Sequence, residues 1–116
     1  MESTKRNIIL TDEFLNYYNS LPEKVRVKYD YVMQIIKSQY VVNEKFVKHL
    51  ENTEFYEVRI SVGSNEYRTV IFAVDTQSFI ESKVVLFLNS FLKKDSNQYK
   101  SEINKAETIL KQFIED

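Results

Sequence analysis

Arg59 and Arg68 stand inside two short runs that otherwise read as β-strands, Phe55-Tyr56-Glu57-Val58-Arg59-Ile60 and Tyr67-Arg68-Thr69-Val70-Ile71-Phe72. A guanidinium in a strand needs a partner or water, so two of them on neighbouring strands imply a charged site built on a sheet. Their forked donors match phosphate oxygens. Lys93 and Lys94 follow a third apolar run and add further cations. A lysine near other cations can have a lowered pKa and serve as acid or base. One reaction that suits such a set is cleavage of RNA, which carries its own nucleophile in the 2′-hydroxyl. The protein then has to align that hydroxyl, take its proton, stabilise the crowded phosphate and protonate the leaving oxygen. Lys48, His49, Tyr67 and Lys100 are candidate RNA contacts around this set. Aromatic rings stack on unpaired bases, and lysines meet the backbone. Each residue also has a plainer reading. Glu57 lies two positions from Arg59 on the same strand face and could simply pair with it. Lys93-Lys94 could be a solubilising loop, Tyr67 a packing residue, His49 a rim residue and Lys100 a solvated lysine.

Composition narrows the setting. A chain of 116 residues fits a single domain, 1–116, and a hydrophobic fraction of 43% supports a folded core. The formal net charge is −1, whereas proteins that hold nucleic acid by bulk charge are strongly basic. An RNA site here has to be a local basic patch on a nearly neutral body. Cysteine is absent, which excludes disulfides and thiolate metal sites. The single histidine excludes a His-rich metal centre, and neither an HExxH nor an EF-hand pattern occurs. No metal and no cofactor is expected. No apolar run is long enough to span a membrane and no signal peptide opens the chain, so a soluble cytoplasmic protein is the expectation.

The elements that must place these residues follow from periodicity. Asn7-Ile8-Ile9-Leu10 predicts a first strand. Thr11 offers an N-cap to a helix with Asp12 and Glu13 in its first turn, and Phe14, Leu15, Tyr18 and Leu21 follow at helical spacing. Ser20 and Glu23 predict a capping box for a second helix that runs to about Gln39, with Pro22 tolerated in its first turn. Val25, Tyr29, Val32 and Ile36 form its apolar stripe, widened by Met33 and Tyr40. Lys24, Arg26, Lys28 and Lys37 read as its solvated face. Asn43 is expected to cap a short helical turn from Glu44 to Leu50. The first arginine strand sets Tyr56, Val58, Ile60 and Val62 on one face and Phe55, Glu57, Arg59 and Ser61 on the other. Gly63-Ser64-Asn65 supplies the turn. An even loop, such as Ser64-Asn65, pairs Ser61 with Arg68 and Arg59 with Val70, which makes the arginines diagonal neighbours on one face. An odd loop separates them, and the even count is the expectation. Residues 83–88 are nearly all apolar and predict a central strand. Asp95 and Gln98 fit a capping box for a last helix over about 98–114, with Tyr99, Ile103, Ala106, Leu110 and Phe113 as its stripe. The order β, α, α, β, β, β, α makes this an α+β domain with helices packed on an antiparallel sheet.

In order and spacing these segments resemble the HigB-type branch of the RelE/ParE toxin superfamily. The resemblance runs through Lys48-His49-Leu50, Phe55-Tyr56-Glu57-Val58-Arg59 and Tyr67-Arg68-Thr69-Val70-Ile71-Phe72. It continues through Val84-Val85-Leu86-Phe87-Leu88, Phe91-Leu92-Lys93-Lys94 and Glu102-Ile103-Asn104-Lys105-Ala106, and covers roughly residues 45–107. It implies a RelE-like fold with N-terminal helices on the sheet and a C-terminal helix. It implies a type II toxin that acts as a ribosome-dependent mRNA endoribonuclease and inhibits translation. It also implies a helix-turn-helix antitoxin as partner, in a toxin–antitoxin hetero-oligomer, and catalysis by a basic cluster rather than a metal. By position, the arginine of the Glu-x-Arg segment is Arg59, that of the Tyr-Arg segment is Arg68, and the Lys-Lys pair is Lys93-Lys94. The chain departs from relatives at Asn89-Ser90, where they often carry His-Gly; if that histidine assists proton transfer, this chain lacks it. It departs again at Asp95-Ser96-Asn97-Gln98-Tyr99, in place of a Thr-rich turn. Two alternatives stay open: a ParE-like inhibitor of DNA gyrase that cleaves nothing, and a degenerate toxin kept as an antitoxin-binding partner.

Overall fold

The computed structural model describes residues 5–115. The chain runs β1 (Asn7–Leu10), α1 (Asp12–Asn19), α2 (Glu23–Ser38), β2 (Val47–His49), β3 (Phe55–Val62), β4 (Asn65–Ala73), β5 (Val84–Leu92) and α3 (Gln98–Glu115). Its strands make one sheet in the order β1-β5-β4-β3-β2. Strands β2 to β5 pair antiparallel, as expected, while β1 joins the β5 edge in parallel. Helices α1 and α2 cover one face, where Phe14, Tyr29, Val32 and Ile36 meet Val58, Ile60, Ile71 and Phe87. Helix α3 covers the other, where Ala106 meets Phe55, Val70, Leu86, Leu88 and Phe91. β5 is therefore sandwiched, which accounts for its unbroken apolar run.

Local signals set most boundaries. Thr11 caps α1: its hydroxyl accepts from Phe14 N at 3.2 Å and donates to Phe87 O at 2.7 Å. The capping box expected for α2 is not formed. Ser20 Oγ instead donates to Tyr17 O at 2.6 Å, closing α1, and Pro22 sits at the N-cap without a side-chain bond. The turn between the helices is too short for Ser20 to serve both ends. The helical turn expected through Leu50 is also cut short. Asn43 Oδ1 accepts from Lys45 N at 2.9 Å, but Val47–His49 is extended. Pairing as β2 satisfies backbone groups along the outer edge of β3 that a turn would leave open.

The β3–β4 loop is Gly63-Ser64, one residue earlier than Ser64-Asn65, so the count stays even. Gly63 has φ +61, at the first loop position, where a type II′ hairpin turn favours glycine. This register sets Arg59 directly opposite Arg68 and Ser61 opposite Glu66. The arginines thus share a face, as expected, but face each other rather than lying diagonally. Between β4 and β5 the register shifts: Thr69 pairs with Ser90 and Ile71 with Phe87, leaving one extra residue on β5. That bulge turns Asn89 towards α3, where Nδ2 donates to Glu102 O and Oε1, both at 2.9 Å. At the start of α3, Gln98 Oε1 accepts from the backbone N–H of Lys94 at 2.6 Å and Asp95 at 3.0 Å, the half of the capping box that reaches back. The stripe of α3 departs from expectation at its end: Phe113 is exposed and Glu102 is buried.

Arg6 is buried without a carboxylate partner. Its guanidinium donates to five backbone carbonyls: Phe79, Ile36, Gln39, Tyr40 and Ile80. It also lies 4.3 Å from the Phe79 ring centroid. One side chain thus ties the start of β1, the end of α2 and the β4–β5 loop together.

Buried phenols give the fold an alkaline limit. Burial raises the Tyr17 pKa from 10.0 to about 12, and it raises that of Tyr29 as well. A folded pKa above the unfolded one means that the native state holds the proton more tightly. The resulting stability is full below pH 10 and is lost as pH rises through the folded values. The urea midpoint is therefore expected to fall between pH 10 and about 12. Tyr29→Phe should flatten that fall; an equal slope in wild type and variant would refute the assignment.

Candidate functional site

The cross-strand pair Arg59–Arg68 defines the site. Two like charges side by side are unfavourable unless a counter-charge joins them. Glu57 does so from the same face of β3. Its Oε2 lies 3.5 Å from Arg59 Nε and its Oε1 lies 3.6 Å from Arg68 Nε. The Tyr99 hydroxyl of α3 donates to Glu57 Oε1 at 2.5 Å. Arg68 Nη1 lies 3.3 Å from Glu66 Oε1 and donates to Tyr67 O at 3.0 Å. Ser61 Oγ donates to the same Glu66 oxygen at 2.6 Å. Lys93 enters from the end of β5, with its backbone N–H on Glu66 O at 2.7 Å and Nζ 5.8 Å from the Tyr99 ring centroid.

The two arginines differ in access. The Arg59 side chain is 28% exposed and the Arg68 side chain 4%. Arg59 can therefore meet a ligand, whereas Arg68 faces inward between two carboxylates, its Nε buried without a hydrogen-bond acceptor. Tyr99 is pushed up to about 12, first by burial and then by its bond to Glu57. It stays a neutral O–H donor near neutral pH. The Ser61 bond, followed by Arg68, holds the Glu66 carboxyl below its usual range, so Glu66 stays charged. Together these groups form a rigid base that presents Arg59 and Lys93 to solvent.

The other candidates divide by sheet face. Lys48 pairs with Glu57 across β2–β3 and is exposed beside the cluster. Lys94 is exposed in the turn after β5, and Lys100 is exposed in the first turn of α3. Tyr67 and His49 are not brought to this face. Tyr67 is buried opposite Ile60 in the α2-side core. His49 pairs with Tyr56, with ring centroids 5.0 Å apart, and its Nε2 lies 2.9 Å from Thr53 O. Asn89 and Ser90 are also committed, Asn89 to Glu102 and Ser90 Oγ to Thr69 Oγ1 at 2.7 Å. Tyr99 and Glu66 were not singled out by sequence reasoning. The sequence places Tyr99 in an apolar stripe and at the end of the Asp95–Tyr99 turn, and the one available signal is a phenol on a helix following the Lys-Lys pair.

A family profile described as phage-derived protein Gp49-like matches residues 16–111. The chain belongs to the Gp49-like family. The matched span of this Gp49-like protein holds every residue of the cluster. Its structure is similar to that of a mutant of the E. coli toxin RelE in the free state, with TM-score 0.61 and 16% identity over 90% of this chain and 96% of that one. At that identity the likeness establishes the fold, and it agrees with the RelE-like architecture expected from the sequence. The Gp49-like chain thus shares the RelE fold over nearly its whole length. No curated protein matches it in sequence. Among the described residues, no helix is long and apolar enough to cross a membrane.

Proposed function

We propose that this Gp49-like protein is the toxin of a type II toxin–antitoxin pair and cleaves mRNA on the translating ribosome, in the manner of HigB-type toxins. The observation that carries the reading is the Arg59–Glu57–Arg68–Tyr99 cluster on a RelE fold, with Lys48 and Lys93 at its edge. In the reaction the RNA 2′-hydroxyl loses its proton and attacks the adjacent phosphorus. The bond to the 5′-oxygen breaks, and that oxygen takes up a proton. Arg59 stabilises the charge gathering on the phosphate, a task that pre-set donors perform best. Lys93 and Lys94 contact the backbone or hand over a proton. Arg68 acts as a positioning residue that holds Glu57, and through it Arg59 and Tyr99. The partners are a helix-turn-helix antitoxin, mRNA and the ribosome, in the cytoplasm.

The test is induction of this chain without an antitoxin, with mRNA ends mapped inside reading frames. Arg68→Ala is a poor probe because it takes one of the two guanidiniums away from buried Glu57 and empties a buried site. Arg59→Ala removes a partly exposed group and should lower cleavage by about 100- to 1,000-fold while the protein stays folded. Intact mRNA on translating ribosomes with purified wild type sinks the proposal. Growth arrest with intact mRNA moves the reading to a gyrase-type inhibitor. A second reading has its own observation: Arg68 is enclosed by carboxylates and Asn89 is locked to Glu102, which favours a degenerate toxin that only binds its antitoxin. Antitoxin binding without growth arrest supports that reading.

A further inference from the structure

A small pocket lies on the other side of Arg59, beside the start of β2, where Phe46 O accepts from Arg59 N at 2.7 Å. It has a volume of about 240 Å³ and is lined by Lys28, Tyr31, Lys45, Phe46, Arg59 and Ser61. All of its charged lining residues are cations, on a protein of net charge −1. Among the described residues neither Lys28 nor Lys45 forms an ion pair. Each instead lies over an aromatic ring: Lys28 Nζ is 5.8 Å from the Tyr31 centroid and Lys45 Nζ 5.0 Å from that of Phe46. The two rings meet edge to face, with centroids 6.1 Å apart. Tyr31 is 56% exposed and lies outside the stripe that anchors α2 to the sheet. Its ring is therefore not held there by burial.

Flat π-surface beside unpaired ammonium groups is the combination that binds single-stranded nucleic acid, with a base on the ring and the phosphate on the cations. The volume suits one planar base and falls below the roughly 300–1,000 Å³ of larger ligand sites. Arg59 lines this pocket and also belongs to the cluster with Glu57, so one strand of RNA can run from one to the other. We propose that the Tyr31–Phe46 pocket holds a nucleotide of the substrate strand next to the one being cut. The base stacks on Tyr31, and its phosphate lies between Lys28, Lys45 and Arg59. The substrate class rests on the ribonuclease reading; the pocket itself rests on the geometry above.

The test measures binding without cleavage. The full chain is titrated with a 5′-fluorescein oligouridylate hexamer, followed by anisotropy over a range of NaCl concentrations, and aromatic NMR signals are recorded with unlabelled hexamer. Tyr31→Ala should weaken binding about tenfold and Tyr31→Phe should preserve it, since stacking needs the ring alone. Lys45→Ala and Lys28→Ala should each lower the salt slope by about 0.7. The Tyr31 and Phe46 signals should shift on titration. Unchanged affinity in Tyr31→Ala, shifts confined to Tyr99, or no binding of the hexamer would overturn the pocket. mRNA cutting on ribosomes with a silent Tyr31→Ala refutes the pocket and leaves the toxin reading standing. Hexamer held at Tyr31 without any mRNA cutting does the reverse.

Discussion

Glu57→Ala should destabilise the protein by about 3–5 kcal/mol and, on the proposed ribonuclease reading, abolish mRNA cleavage. The loss comes mainly from Arg68. With Glu57 gone, a guanidinium whose side chain is 4% exposed keeps only Glu66 and one carbonyl as partners, and its Nε faces no acceptor at all. A buried guanidinium left with one half-exposed carboxylate in place of two is the costly outcome, more than the net worth of the Glu57–Arg68 pair itself. Arg59 adds little to the figure because water can solvate it. Tyr99 loses its acceptor, which costs about 1–3 kcal/mol only if no water replaces the carboxylate. The double variant Glu57→Leu/Arg68→Leu should recover most of the lost stability, since both charges leave together. It should remain inactive, because Arg59 has lost its support. Urea denaturation of the single and double variants decides the matter. Additive losses would show that Glu57 and Arg68 are not coupled and that the cluster is not the unit described here.

Arg6→Met should be comparably damaging, with a loss above about 4 kcal/mol and a fall in Tm of more than about 15 °C. Methionine fills similar space but offers no donor to the carbonyls of Ile36, Gln39, Tyr40, Phe79 and Ile80. Ile36 lies in the last turn of α2, where helical C=O groups need outside partners, and Gln39 and Tyr40 follow at its C-cap and one residue beyond. Arg6→Lys keeps the charge, yet one ammonium cannot span acceptors on two separate segments, so it should restore less than half of the loss. A thermal melt of Arg6→Lys that matches wild type would show that charge alone, rather than the fork, holds the segments.

Most of the architecture was legible in the sequence because the signals were local. The Thr11 cap, the stripe of α2, the alternation of β3 and the reach of Gln98 each depend on residues a few positions apart. The errors fall where a distant strand competes. Val47–His49 became β2 because β3 needed a partner on that side, which no feature of residues 43–50 announces. The Ser20 hydroxyl was claimed by the helix before it. The hairpin loop was misplaced by one residue, yet the parity that puts both arginines on one face survived. The site was half legible. Arg59, Arg68, Glu57 and Lys93 were named from spacing, but spacing cannot say which arginine is enclosed. That depends on Glu66 and Tyr99 arriving from the next strand and the last helix. Tyr67 and His49 were drawn in by proximity in sequence, and the pleat sends them to the opposite face.

The parallel strand β1 bears on how the protein comes together in time. It pairs Asn7 with Val84 and Leu10 with Phe87, and the residues that flank it reach as far: Thr11 meets Phe87, 76 positions away, and Arg6 meets Ile80, 74 positions away. The β3–β4 hairpin closes through a two-residue loop and can form early, whereas β1 must wait for β5. The sheet is therefore expected to grow outwards from its hairpin and to receive its first strand late. Interactions absent from the transition state govern unfolding rather than folding. Substitutions in β1 or at Arg6 should therefore speed unfolding while leaving the refolding rate nearly unchanged, so the N-terminal strand works as a latch on the lifetime of the folded protein.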